Sequence, residues 1–273
     1  DNLQTLFANV GIDLETQTWV YICAIITWIP LILLKSMKDV TFLSIMGAIA
    51  SAVVVIVVLT TSIVEYPDKG SDQRDFINLK NLPFVIATFN FCFGGNIVFP
   101  NIESSMKNAR DWSKVLTISI FIITLMYLLI GIPAYITYGR SLQSPIYLSL
   151  PPGPSATVAI IMITTHILLA LPVYLTSFSM EIENLLIVQE FEVRRRFVWR
   201  VIIRSLIMAF TVLMAVNIPF ASDLVELLGA AGNGMLLVVT PIILWVKLFG
   251  WQNLEFKEQC WIIFVLTFSI FGA

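Results

Sequence analysis

The chain has 273 residues, of which 58% are hydrophobic and 12% charged, and its formal net charge is −2. Soluble domains carry about 25% charged residues, so the composition excludes an ordinary water-soluble globule and indicates an integral membrane protein, which the apolar runs below make all-α and polytopic. The net charge says little about partners, and without a basic cluster interleaved with aromatics nucleic-acid binding has no support.

A membrane helix needs about 20 predominantly apolar residues, whereas a barrel strand needs about 10 that alternate. Eight apolar runs are present, none of them alternating: 19–34, 42–64, 82–102, 115–138, 156–180, 197–218, 224–249 and 259–273. Residues 1–17 are polar and mixed, and are expected to form a loop or surface helix. No soluble domain or short repeat interrupts the series, so residues 1–273 are expected to form a single transmembrane domain. The chain starts at Asp1 without a signal peptide and ends inside an apolar run. It therefore reads as a piece of a longer protein, incomplete at its N-terminus.

The joins between runs set the orientation. One side receives Lys35, Lys38, Lys107, Arg110, Lys114, Arg194, Arg195, Arg196, Arg200, Lys247 and Lys257; the other receives Lys69, Arg74, Lys80 and Arg140. The richer side is expected to face the cytosol. Arg204 lies one turn inside the sixth run, and its long stem predicts that it snorkels to that side. The first run then points inward, which predicts an odd number of earlier spans.

The third run contains FCFGGNIVFP, residues 91–100. Two glycines and a proline weaken a helix by roughly 1 and 3 kcal/mol each. Gly94 lies about 12 residues from the start of the run, or ~18 Å at 1.5 Å per residue, near the middle of the bilayer core. Non-helical backbone is tolerated at that depth only where protein or a wet cavity surrounds it. Gly94, Gly95 and Asn96 thus read either as a solute-binding break or as a close helix contact with a proline kink.

In the fifth run, His166 is the chain's only histidine and also sits near mid-depth. It is either a titrating functional group or a neutral residue bonded to a neighbouring helix. Thr164 and Thr165 can bond within the protein or ligate a cation. Glu181 and Glu183 close this run and are expected at the interface, paired with basic residues. In the seventh run Asp223 reads as solvated or as a helix cap, Glu226 one turn deeper as an interfacial group or one facing a solute path, and GAAGNG at 229–234 as packing or a hinge, with Asn233 the one polar group there that could reach a cavity. Cys23, Cys92 and Cys260 are an odd number in apolar runs and read as small core residues, not as a disulfide or metal set. There is no phosphate-binding loop, metal-ligand spacing or nucleophile–base arrangement, so neither enzyme activity nor a cofactor is expected.

FCFGGNIVFPNIESSMKNARDW resembles the sixth span of the amino acid/auxin permease family, its fungal vacuolar-type transporters especially. GIPAYITYG with SPIYLSLP, HILLALPVYLTSFSMEIE and LVELLGAAGNGMLLVVTPIILW resemble its seventh, eighth and tenth spans, in order. The resemblance runs from about Trp19 to the end and makes the eight runs look like spans four to eleven. It implies a LeuT-like inverted-repeat transporter fold, whose broken first span would be missing. It implies secondary, proton-coupled transport of neutral amino acids by alternating access, with sodium as the other coupling ion and an amino acid sensor of the same fold as the alternative function. It places substrate contacts on Phe93, Gly94, Gly95 and Asn96. Close relatives often carry histidine at the position of Asn96, so coupling is expected at His166, with Thr165 the candidate sodium ligand. The expected partners are the amino acid and the lipid bilayer, with no obligate protein partner, and the expected location is a vacuolar or other endomembrane.

Overall fold

A computed structural model describes residues 2–8, 11–12, 14–34, 37–69, 74–75, 78–217, 232 and 235–271. Every regular element among them is helical. A short surface helix, α1 (Asn2–Ala8), precedes α2 (Thr16–Leu33) and α3 (Met37–Lys69). The third run is not one helix. It consists of α4 (Leu82–Cys92), a 3-10 turn at Gly95–Val98, and α5 (Phe99–Ser105). Long helices resume with α6 (Trp112–Tyr138), α7 (Pro154–Leu185) and α8 (Val193–Asn217). A π-helical stretch, Met235–Val239, leads into α9 (Thr240–Phe249), and α10 (Phe256–Phe271) follows.

Five helices are long and apolar enough to cross a membrane, at Thr16–Leu33, Asp39–Asp68, Ala109–Ser141, Pro154–Leu185 and Val193–Asn217. The chain is a multi-pass membrane protein. Eight runs reduce to five such helices for identifiable reasons. The third is broken, α10 has only 16 residues, and much of the seventh lies outside the described residues. So do Asp223, Glu226 and Asn233.

The chain forms two compact units. The first comprises Asp1–Asp75 and Asn101–Asn217. In it α3 packs against α6 and α7, and α2 against α7 and α8. Its core joins Val54 and Val58 of α3 to Ala134 and Tyr138 of α6, with Leu150 and Ala159. A second cluster seats Leu34 and Val40 against Ile102, Val173 and Met180. The outward faces are as apolar as the core: α6 exposes Ile118, Phe121, Ile122, Leu125 and Leu128. That pattern suits a hydrocarbon solvent, in which backbone groups must pair within each helix. Hydroxyls obey the same constraint. Thr27, Thr60, Thr124 and Thr211 each donate to the carbonyl one turn back at 2.8–2.9 Å.

The second unit comprises Phe76–Pro100 and Ile218–Ala273. It holds α4 with the 3-10 turn before it, and the π-helical stretch against α9 and α10. A cavity of about 210 Å³ between these elements is lined by Val238, Pro241, Ile242, Trp261, Ile262 and Val265. Cys92 and Cys260 are exposed and Cys23 half-buried, none of them in a disulfide, so they are not core residues of the described chain.

Candidate functional site

The helix break is built by a progressive shortening of the backbone register. The Phe93 N–H still reaches four residues back, to the Phe89 carbonyl at 3.1 Å. The Gly94 N–H reaches only three, to Phe91 at 3.0 Å, and the Gly95 N–H two, to Phe93 at 2.8 Å. Asn90 and Phe91 thereby lose the helical donors that an unbroken α4 would give them. Phe93 sits at φ −97° and ψ 11°, in the sparsely used bridge region. Phe93, Gly94 and Gly95 are half-buried. A Cβ added to Gly95 would lie 3.3 Å from the Phe99 ring, so the ring closes over this glycine. Asn96 lies within the 3-10 turn; its side chain is outside the described residues. The N–H groups of Phe93, Gly94 and Gly95 are thus all taken up within the break, by bonds that shorten from helical to tight-turn reach.

His166 lies in the first unit, bonded across to α3. Its Nδ1 is 2.9 Å from the Ser51 Oγ and 3.0 Å from the Gly47 carbonyl oxygen. Ser51 Oγ also lies 3.1 Å from that carbonyl. A carbonyl accepts only, so an Nδ1–H can donate to Gly47, whereas a bare Nδ1 would accept from the Ser51 hydroxyl. Gly47 permits the approach: a Cβ there would meet Nδ1 at 3.5 Å. Thr165 is exposed and donates to the Ile161 carbonyl at 2.8 Å. Thr164 accepts a bond from Asn2 Nδ2 at 3.2 Å, and Asn2 Oδ1 accepts one from the Tyr147 hydroxyl at 2.5 Å. Asn2 and Thr164 border a cavity of about 280 Å³ walled mainly by Trp19, Cys23, Ile167, Leu171 and Met208.

Arg204 does not snorkel. Its side chain is fully buried, with Nε donating to Glu183 Oε1 at 2.8 Å and Nη1 donating to the carbonyls of Leu31, at 2.6 Å, and Leu34. Arg200 approaches the other oxygen of Glu183 at 3.6 Å. Burying a charge is costly unless it is paired, and here one carboxylate serves two guanidinium groups. The arginine chooses this site over the interface because the end of α2 offers carbonyls that no further helical turn satisfies. Glu183 is therefore interior, whereas Glu181 is exposed. The spacing of Arg200 and Arg204, four residues apart and so on one helix face, was the sequence signal for this cluster. Ser51 and Gly47 carried no comparable signal as partners of His166. Asn101, which donates to Ser177 Oγ at 2.8 Å just after the break, was also silent.

The positions separate by unit. Phe93, Gly94, Gly95 and Asn96 belong to the second unit, and Thr165 and His166 to the first.

The family model described as "Transmembrane amino acid transporter protein" matches residues 1–273. Amino acid transporter AVT1J of Arabidopsis thaliana is 26% identical over 278 residues, covering 98% of this chain and 64% of that protein. Amino acid transporter AVT1D of the same plant is 27% identical, covering 99% and 50%. The vesicular inhibitory amino acid transporter of Xenopus laevis is 23% identical, covering 96% and 52%. The chain spans about half to two thirds of the length of these relatives. No solved structure matches it.

Proposed function

The chain belongs to the transmembrane amino acid transporter family, and from that premise we propose that the protein moves amino acids across a membrane by secondary active transport. One observation carries the site: the third run breaks at Phe93–Gly95, where its N–H groups leave helical register. In this reading the solute's carboxylate competes for the Gly94 and Gly95 N–H groups, which are held only by short-range turn bonds, its ammonium takes carbonyls, and Asn96 adds a neutral donor and acceptor. No acid or base stands in the sequence from Phe91 to Pro100, which favours solutes whose side chains are uncharged. The architecture in this reading is a LeuT-like inverted repeat that exposes the break to each side in turn.

The coupling ion is the proton, and His166 carries it. Sodium coupling would instead draw on Thr165 Oγ1, which has lone pairs to spare beyond its bond to Ile161. The membrane is an internal one, a reading supported by the word "vesicular" in the name of one relative.

Equilibrium binding of labelled amino acids to the complete purified protein tests the site. A neutral amino acid should bind saturably, and Asn96→Leu should abolish that binding while the protein stays folded. Unchanged affinity in the variant would remove the site from the break.

A further inference from the structure

Between α7 and α8 the chain runs LLIVQEFEVRRRFVWR, residues 185–200. The fold divides its four arginines into two pairs. Arg200 turns inward to Glu183. Arg196 donates to the Gln189 and Phe191 carbonyls, the latter at 3.1 Å, and closes the turn. Arg194 and Arg195 are left exposed. The Arg195 guanidinium lies 4.4 Å over the Phe191 ring, and Arg194 makes no hydrogen bond or ion pair among the described residues.

The surroundings of this pair are unusual for water. Leu185 is 80% exposed and Val193 83%, with Leu186, Ile187 and Phe197 more than half exposed. Val188, 1% exposed, pins the turn beneath them. Glu190 and Glu192 are exposed on the same segment, so a diffuse positive field is not what distinguishes it. Two adjacent guanidinium groups beside bare aliphatic side chains, at the end of two membrane helices, match the boundary between lipid headgroups and acyl chains. An acidic peptide or a nucleic acid would satisfy the arginines but leave the leucines and valine in water.

We propose that this turn is a docking surface for an acidic phospholipid, whose headgroup phosphate is held by Arg194 and Arg195 while Leu186, Ile187 and Val193 meet its acyl region. What distinguishes the acidic lipid is its net negative charge, since the ammonium of a zwitterionic lipid offsets its phosphate.

The test is thermal unfolding of the complete protein in neutral detergent, titrated with phosphatidylserine or phosphatidylcholine. Phosphatidylserine should raise the unfolding midpoint saturably, and phosphatidylcholine should not. The half-effect concentration should rise about fivefold for each arginine removed, hence ~25-fold in the Arg194→Gln, Arg195→Gln double variant. The corresponding double lysine variant should retain most of the response and shows that loss follows charge, not misfolding. The proposal is overturned if the double glutamine variant responds like wild type or if the two lipids act alike. It is equally overturned if water-soluble glycerophosphoserine reproduces the effect, which would mark a free-phosphate site.

Discussion

Glu183 holds two guanidinium groups with one carboxylate inside the protein, and the cost of disturbing it should be large. Removing one partner of a buried ion pair leaves the other charge uncompensated, at about 3–5 kcal/mol. Glu183→Gln should therefore lower the thermal unfolding midpoint sharply, and Arg200→Gln much less, because Arg200 stands farther off. Equal, small shifts would contradict the buried pairing. This cluster was only half legible in the sequence. Counting Lys and Arg treats each as a surface charge, and nothing in a string of letters announces that the end of α2 needs a donor. His166 was conspicuous as the one histidine, but its partners Gly47 and Ser51 are ordinary helix residues until α3 and α7 are placed together. His166→Gln should flatten the pH dependence of transport, measured as initial uptake rate against pH, whereas Ser51→Ala should shift the profile without flattening it. A normal profile in His166→Gln would make the histidine purely structural.

Asp75 gives a pH effect whose sign can be worked out. It lies outside the membrane helices, where Arg140 Nε donates to its Oδ2 at 3.0 Å and the Tyr135 hydroxyl bonds its backbone N–H and carbonyl at 2.9 and 3.0 Å. The Arg140 hydrogen bond holds its carboxyl below the ordinary value of 3.8. A depressed carboxylate contributes stability above its ordinary value and loses it as pH falls through the depressed one. The stability difference between wild type and Arg140→Gln should thus be constant above about pH 5 and shrink under stronger acid. The pair is exposed, so the difference should be small. A difference that grew on acidification would contradict the assignment.

Among elements, the break was the most legible feature, because Gly-Gly and Pro act on the backbone locally. The register step from four to three to two residues is what such residues permit. Gly94→Leu should abolish uptake by filling the break, while Gly95→Ala should reduce it only in part. The added methyl meets the edge of the Phe99 ring at 3.3 Å, a contact relieved by a shift of a few tenths of an ångström. Normal uptake by Gly94→Leu would reduce the glycines to packing. Hydropathy located the long helices α2, α3, α6, α7 and α8 to within a few residues. It overran at the third run, since apolar character continues through the change of backbone register at Phe93–Gly95. Polar flanks were the other omission: α3 extends to Lys69 and α7 to Leu185, because helices project past the hydrocarbon edge.

For the whole molecule, apolar outward faces and arginine-rich joins describe a protein whose solvent is lipid. In the proposed secondary transport, the proton gradient would be the source of work. One pH unit is worth ~1.36 kcal/mol per proton, so a two-unit gradient supports about 100-fold accumulation of a neutral solute for each proton coupled. The most direct measurement is uptake of labelled neutral amino acids into proteoliposomes holding the complete protein, with and without an imposed pH gradient. The account predicts accumulation above the outside concentration that collapses when the gradient is dissipated. Saturable binding without any accumulation would contradict it and leave a sensor.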